Sequence, residues 1–368
     1  MQLLNATRDA LLRPLQIVSG IVERRHTMPI LANVLIKKQG ERLTFLATDS
    51  EVQISTSAVL GGSEENIATT VAARKLLDIV RALSETSNVA LQLDGRRMTV
   101  AAGKSRFALQ TLDADAFPVV APAENYSASV TLPQKTLKHL FSMVHFSMAQ
   151  QDIRYYLNGL LLVLDGEYVM AVATDGHRLA FCQVKTEEQF ERQEVIIPRK
   201  TVGELQRLLE ELDDPVQIDL AQSQIRLRFS DIELVSKLVE GKFPDFNRVI
   251  PRGYGNHFTL DRAVLQHSLQ RAAIMTSDKF KGVRCMIEPG VMKISSTNAD
   301  QEEALEEIEI DYGGASLDLG FNVSYLLEVL GNLKTEQVQF SFGDSSSSAL
   351  VTIPNDGDFK YVVMPMRI

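Results

Sequence analysis

An internal repeat sets the architecture. Residues 7–18 read as an amphipathic helix, and the same pattern returns at 132–141 and 260–269. The step is nearly constant: Arg8 to Pro133 spans 125 positions, and Pro133 to Asp261 spans 128. A second helical pattern keeps it, with 126 positions from Ala72 to Pro198 and 124 from Pro198 to Asn322. A chain that repeats on this scale is built from copies of one unit. Its 368 residues are expected to form three domains, 1–124, 125–253 and 254–368, each close to the commonest domain size.

Within a unit the order is helix, strands, helix, strands. In the first, Leu43, Phe45 and Ala47 alternate with Thr44 and Leu46, and Val52, Ile54 and Thr56 resume beyond Thr48-Asp49-Ser50. A period of two around a polar turn is the mark of paired strands. Further strands are expected at 89–93, 98–101 and 106–112, and in the second unit at 160–165, 168–174, 178–184, 216–220, 224–229 and 233–238. The third unit offers 285–289, 291–295, 305–310 and 361–364. Asp94-Gly95 is a strong hairpin dipeptide and Gly103-Lys104 a second turn, so the pairing is antiparallel. The fold class is therefore α+β: three tandem copies of a two-helix plus antiparallel-sheet unit. Each copy closes on an apolar residue before proline (Phe117-Pro118, Phe243-Pro244, Met364-Pro365), which ends a strand.

Bulk properties restrict the partners. Apolar content of 45% with 23% charged residues suits well-filled cores, and no run reaches the ~18 apolar residues of a membrane span. Cys182 and Cys285 fall at non-equivalent places in different repeats, which argues against a disulfide framework or metal site and for a reducing cytoplasm. A net charge of −9 excludes indiscriminate coating of nucleic acid. The helices nevertheless carry outward bases (Arg8, Arg13, Arg74, Lys75, Arg81, Lys135, Lys138, Arg199, Lys200, Arg207, Arg262 and Arg271) among fewer acids. A local basic surface is thus compatible with an acidic whole.

An enzyme would need a catalytic constellation. Thr174-Asp175-Gly176-His177-Arg178 puts an acid near a histidine, as acid–base chemistry requires. Against this, the equivalent turn of the first unit is Thr48-Asp49-Ser50-Glu51, so the shared Thr-Asp pair reads as an Asx-type turn. No His-x-x-x-His or Cys-x-x-Cys pair, glycine-rich phosphate loop or Gly-x-Ser-x-Gly elbow accompanies it. No single helix stands out as a base-reading element of a DNA-binding regulator either.

Several motifs, in order along the whole chain, carry a family resemblance. Gln151-Asp152-Ile153-Arg154-Tyr155-Tyr156-Leu157-Asn158-Gly159, Thr174-Asp175-Gly176-His177-Arg178-Leu179-Ala180, Gly241-Lys242-Phe243-Pro244-Asp245 and Tyr361-Val362-Val363-Met364-Pro365-Met366-Arg367 resemble the bacterial replicative sliding clamps, the beta subunits of DNA polymerase III. The resemblance implies the DNA clamp fold in a head-to-tail homodimer, a ring with twelve helices lining the inside and sheets outside. Helices spaced ~10 Å apart would put their axes on a circle roughly 38 Å across, leaving about 27 Å for a duplex. It implies sequence-independent encirclement of double-stranded DNA in the bacterial cytoplasm, at the nucleoid during replication. No catalysis, cofactor, metal or membrane is implied.

The resemblance also assigns residues. Duplex contacts fall to Arg24, Arg25, Gln151, Tyr155 and Tyr156, and the outward helix bases Arg74, Arg199 and Lys200 are expected to join them. Peptides of the replicative polymerase, clamp-loader subunits, other polymerases and repair proteins are expected in a groove. Its residues are Arg154, Leu157, Thr174, Gly176, His177, Arg178, Leu179, Pro244, Val249, Tyr325, Ser348, Val362, Met364, Pro365, Met366 and Arg367. Methionines conform to differing ligands, which suits a shared site; taken alone, without the resemblance, Met364-Pro365-Met366 reads first as C-terminal strand packing. Ring closure would join the edge strand bearing Lys104, Arg106, Phe107 and Leu109 to Ile274 and Met275 with Glu302, Glu303, Glu306 and Glu307.

Overall fold

The computed structural model describes residues 1–23, 28–60, 66–277 and 280–368. The chain forms two compact units, Met1–Leu137 with Gly203–Leu238 and Lys138–Val202 with Val239–Ile368. Among the described residues all sheet pairings are antiparallel.

The repeat is visible element by element. In each copy a strand runs straight into the first helix: Gln2–Thr7 into Arg8–Ser19, Ala128–Pro133 into Gln134–Ser142, Asn256–Asp261 into Arg262–Ala273. The sequence placed the later two helices two residues too early, because Leu132-Pro133 and Leu260-Asp261 finish strands paired with Pro215–Leu220 and Gln337–Phe342. Polar caps mark the true starts: Thr7 Oγ1 accepts from Ala10 N–H at 3.4 Å and Asp261 Oδ1 from Val264 N–H at 2.8 Å. The second helices are Ala73–Ala82, Arg199–Leu208 and Val323–Asn332. Leu11, Leu15 and Val18 of the first helix are fully buried, each contributing about 1.5–3 kcal/mol of apolar burial.

The first unit contains a twelve-stranded sheet and the second a six-stranded and a four-stranded sheet. In the middle repeat, Gly159–Thr174 and Arg178–Pro198 form one long hairpin with irregular register around Gly166. The sequence indicated separate short strands there and none at 185–198, where Thr186 to Glu194 is polar apart from Phe190.

Two pairings join successive repeats in the same way. Ile232–Lys237, last strand of the second repeat, pairs with Val52–Val59 of the first. Asp356–Val363, last strand of the third, pairs with Arg178–Pro198 of the second. The strands at the matching places in repeats one and three keep open sides. Among the described residues, Ser105–Leu112 meets Ile67–Ala72 only through Thr111 and Leu112, and Glu303–Glu309 ends its sheet.

Candidate functional site

The most structured surface site is an apolar trough in the second unit, with a cavity of about 130 Å³. Its centre is the turn between the long hairpin's arms. Thr174 Oγ1 donates to Arg178 O at 2.6 Å and accepts from Gly176 N–H at 3.1 Å. Asp175 Oδ1 accepts from the N–H groups of His177 (2.9 Å) and Arg178 (3.1 Å). The first repeat builds the same turn: Thr48 Oγ1 donates to Val52 O at 2.9 Å, and Asp49 Oδ1 accepts from Glu51 and Val52 N–H at 2.9 and 2.7 Å. The Thr-Asp pair is thus a turn device, as the repeat implied. Gly176 has φ +90°, and a Cβ there would sit 3.0 Å from the Arg154 guanidinium, so conformation and crowding both favour glycine.

The floor is Leu157, Leu179 and Val362, all buried. Leu179 and Val362 are cross-strand partners, and the short helical turn Tyr155–Leu157 delivers Leu157. Pro244 and Val249 form one wall. Asp245 caps the short helix Phe246–Val249, accepting from Asn247 N–H at 3.2 Å, while Phe246 packs on Phe181 with centroids 5.8 Å apart. Met364 leaves its strand, donates its N–H to His177 O at 2.9 Å and extends the trough with a half-exposed thioether side chain.

Arg178 is the strut behind this surface. Its guanidinium is ion-paired with Asp175 (3.1 Å) and Glu328 (2.5 Å), donates to Phe146 O at 2.7 Å, and lies 4.4 Å from the Tyr325 ring centroid. Tyr325 therefore stands behind His177 and Arg178, lining a separate polar cavity of about 330 Å³ with Asp152, Arg199 and Glu328. Ser348 and the last residues also fall outside the trough lining. Ser348 O accepts from the Tyr254 hydroxyl at 2.8 Å. Met366 N–H donates to Gly320 O at 2.8 Å, carrying Pro365, Met366 and Arg367 toward another sheet.

The residues linked to duplex contact divide similarly. Arg24 and Arg25 lie outside the described residues. Gln151 (φ +57°) and Tyr155 are exposed on a loop, but Tyr156 lines the trough and packs against its core. Arg154 binds Asp152 through two nitrogens (3.0 and 2.9 Å), holding that carboxyl down at about 2. Arg74 and Arg199 are exposed, yet each donates to a backbone carbonyl, Val22 O at 2.6 Å and Met148 O at 2.8 Å. Lys200 is half-buried. The thiols of Cys182 and Cys285 are pushed up to about 12 by burial, which suppresses thiolate chemistry.

At the open edges, Phe107 and Leu109 face the same side as buried Val100 and Met98. Phe107 is 38% exposed there, and Arg106 and Lys104 are exposed beside it. Ile274 is 73% exposed, with Met275 half-buried. The acids are not equivalent. Glu306 is held by Arg271 at 2.5 Å and Glu302 accepts from Asn298 Nδ2 at 2.6 Å, leaving Glu303 and Glu307 on the outer face. Leu305, 65% exposed on the same strand, was missed because acids surround it.

A thrice-repeated α+β unit, joined strand to strand and carrying a turn-built trough, is the build of a replicative sliding clamp. Family models of the DNA polymerase III beta subunit match in tandem: the N-terminal domain at residues 2–121, the central domain at 131–245 and the C-terminal domain at 247–367. The beta sliding clamp of Pseudomonas aeruginosa is 46% identical over 362 residues, 98% of each chain, and that of Escherichia coli K12 is 43% identical over 363 residues, again 98% of each. A crystal structure of the P. aeruginosa sliding clamp bound to griselimycin aligns with TM-score 0.95 at 45% identity, covering 99% of both chains. The chain belongs to the DNA polymerase III beta subunit family, the beta sliding clamps.

Proposed function

We propose that this sliding clamp works as a head-to-tail homodimer closed around duplex DNA, tethering polymerases by short peptides held in the trough. One observation carries the dimer: the two joins between repeats are alike, and each leaves its counterpart open. Ser105–Leu112 corresponds to the last strands of repeats two and three, and Glu303–Glu309 to the strands that receive them. A second copy offers Glu303–Glu309 to Ser105–Leu112, giving the heterologous interface from which rings arise. Phe107 and Leu109 would cover Ile274 and Met275, with Arg106 and Lys104 near Glu303 and Glu307. The three clamp domains of each copy are read as residues 1–124, 125–253 and 254–368.

Encirclement lets contacts be weak and blind to sequence, since a closed ring holds DNA without affinity. The trough's apolar floor and adaptable Met364 suit short peptides with aliphatic or aromatic side chains from polymerases, clamp loader and repair proteins, and we read it as the griselimycin site as well. The clamp is read as an accessory subunit without chemistry of its own. Asp175, the carboxylate nearest His177 in sequence, is committed to two backbone N–H groups and Arg178. A bacterial, cytoplasmic location follows from this role; no helix among the described residues is long and apolar enough to cross a membrane.

The decisive experiment compares retention of the loaded protein on nicked circular plasmid and on the same plasmid linearised. Retention on circles with rapid loss from linear ends is expected; equal retention set only by salt would remove encirclement. In parallel, ending the chain after Val363 should preserve the dimer while weakening griselimycin at least tenfold, and undiminished affinity would remove the trough assignment.

A further inference from the structure

Arg199 grips both stems of an exposed loop. Its backbone N–H donates to Asn158 O at 3.0 Å, and its Nη1 donates to Met148 O at 2.8 Å. Between these points the chain closes on itself. Ala149 N–H donates to Leu157 O at 3.0 Å; Asp152 N–H donates to Asn158 Oδ1 and Asn158 Nδ2 donates back to Asp152 O, each at 2.9 Å. The tip stands in solvent, with Ile153 96% exposed and Gln151 in the left-handed region.

The first repeat has a related device. Arg74, in the first turn of Ala73–Ala82, donates Nη2 to Val22 O at 2.6 Å. Val22 stands two positions before Arg24 in the sequence. In the third repeat Val323 and Ser324 occupy the first-turn positions, so no guanidinium is available there. The family resemblance assigns duplex contacts to the first two repeats only.

We propose that Arg199 is a positioning residue for duplex contact: it fixes the loop at 149–158 that meets DNA instead of neutralising a phosphate itself. The inference rests on the encirclement reading for its DNA half, while the anchoring half concerns the free protein. The choice of arginine fits. Its planar fork can reach a carbonyl in a fixed direction, whereas a lysine ammonium is a compact, strongly hydrated charge on a flexible stem. At a phosphate the two would be near substitutes as point charges; at a directional carbonyl anchor they would not.

The test uses the full dimeric protein as wild type, Arg199→Lys and Arg199→Gln. Affinity for a short fluorescent duplex is measured across a salt series, and hydrogen exchange at 149–158 is followed without DNA. Both substitutions are expected to weaken the duplex several-fold and alike, with loop amides exchanging at least tenfold faster and the salt dependence of Arg199→Lys unchanged. Wild-type affinity and exchange in Arg199→Lys, with Arg199→Gln lowering the log–log salt slope by about one, would overturn the proposal in favour of a phosphate contact. Gln151→Ala checks the parent reading: if it binds duplex like wild type, the loop's DNA role falls, and the exchange data alone then decide whether Arg199 anchors it.

Discussion

Arg178 and Glu328 meet at 2.5 Å, and their ion pair ties the turn that centres the trough to the helix Val323–Asn332. Arg178 is 7% exposed, so its charge depends on the partners around it. Replacing Glu328 by Gln is expected to loosen Arg178 and weaken griselimycin binding about fivefold, the equivalent of about 1 kcal/mol for an ion pair with one half-exposed partner. In an Arg178→Gln background the second substitution should add little, because Glu328 acts through Arg178. Isothermal titration of the four proteins checks this; strictly additive losses would mean that Glu328 acts independently.

The matching turns in repeats one and two allow an internal control. Asp49→Ala and Asp175→Ala each delete a carboxylate that accepts two backbone N–H groups, and each should cost about 1–3 kcal/mol in urea unfolding. Only Asp175→Ala should also impair ligand binding. Equal loss of binding in both variants would detach the trough from this turn.

Ile274→Asp or Phe107→Asp should give monomers by sedimentation, since each puts a carboxylate into an apolar contact. Glu306→Gln should not. Its carboxylate is already taken by Arg271, so its removal is expected to leave assembly intact and lower stability by less than about 1 kcal/mol. A dimer that survives both Asp substitutions would exclude these edges as the interface.

The Asp152 carboxyl, held at about 2 by Arg154, has a defined pH consequence. Its folded value lies below its unfolded one, so its contribution is complete above about pH 4 and is lost as pH falls toward 2. Protection of the Arg154 amide, which donates to Asp152 Oδ1, should persist through about pH 4 and be lost only as pH approaches about 2. In Asp152→Asn its exchange should be fast throughout. A wild-type transition at the ordinary carboxylate pH would show that the Arg154 pairing does not persist in solution.

Much of the architecture was legible because it is written three times. Periodicity located six helices and most hairpins, and comparison of Thr48-Asp49 with Thr174-Asp175 identified a turn before any coordinate did. What escaped was information held in pairing. Residues 185–198 look like loop, yet their ladder with Gly159–Thr174 makes them strand. Glu306 resembles its acidic neighbours in sequence, but alternation turns it inward to Arg271 while Glu303 and Glu307 point out. Arg74 and Arg199 read as free cations, because nothing local announces that a carbonyl 52 or 51 positions away receives them.

The two open strands differ from each other, so damage to one is not damage to both. In the proposed ring, a subunit with a ruined Phe107 edge still presents a sound Glu303–Glu309 edge, and beside a healthy copy it would complete one seam and leave the other gaping. Cells making both forms would accumulate such half-latched pairs, able to occupy polymerases without holding DNA. Defects at this protein's seams should accordingly be felt even when an undamaged gene is present.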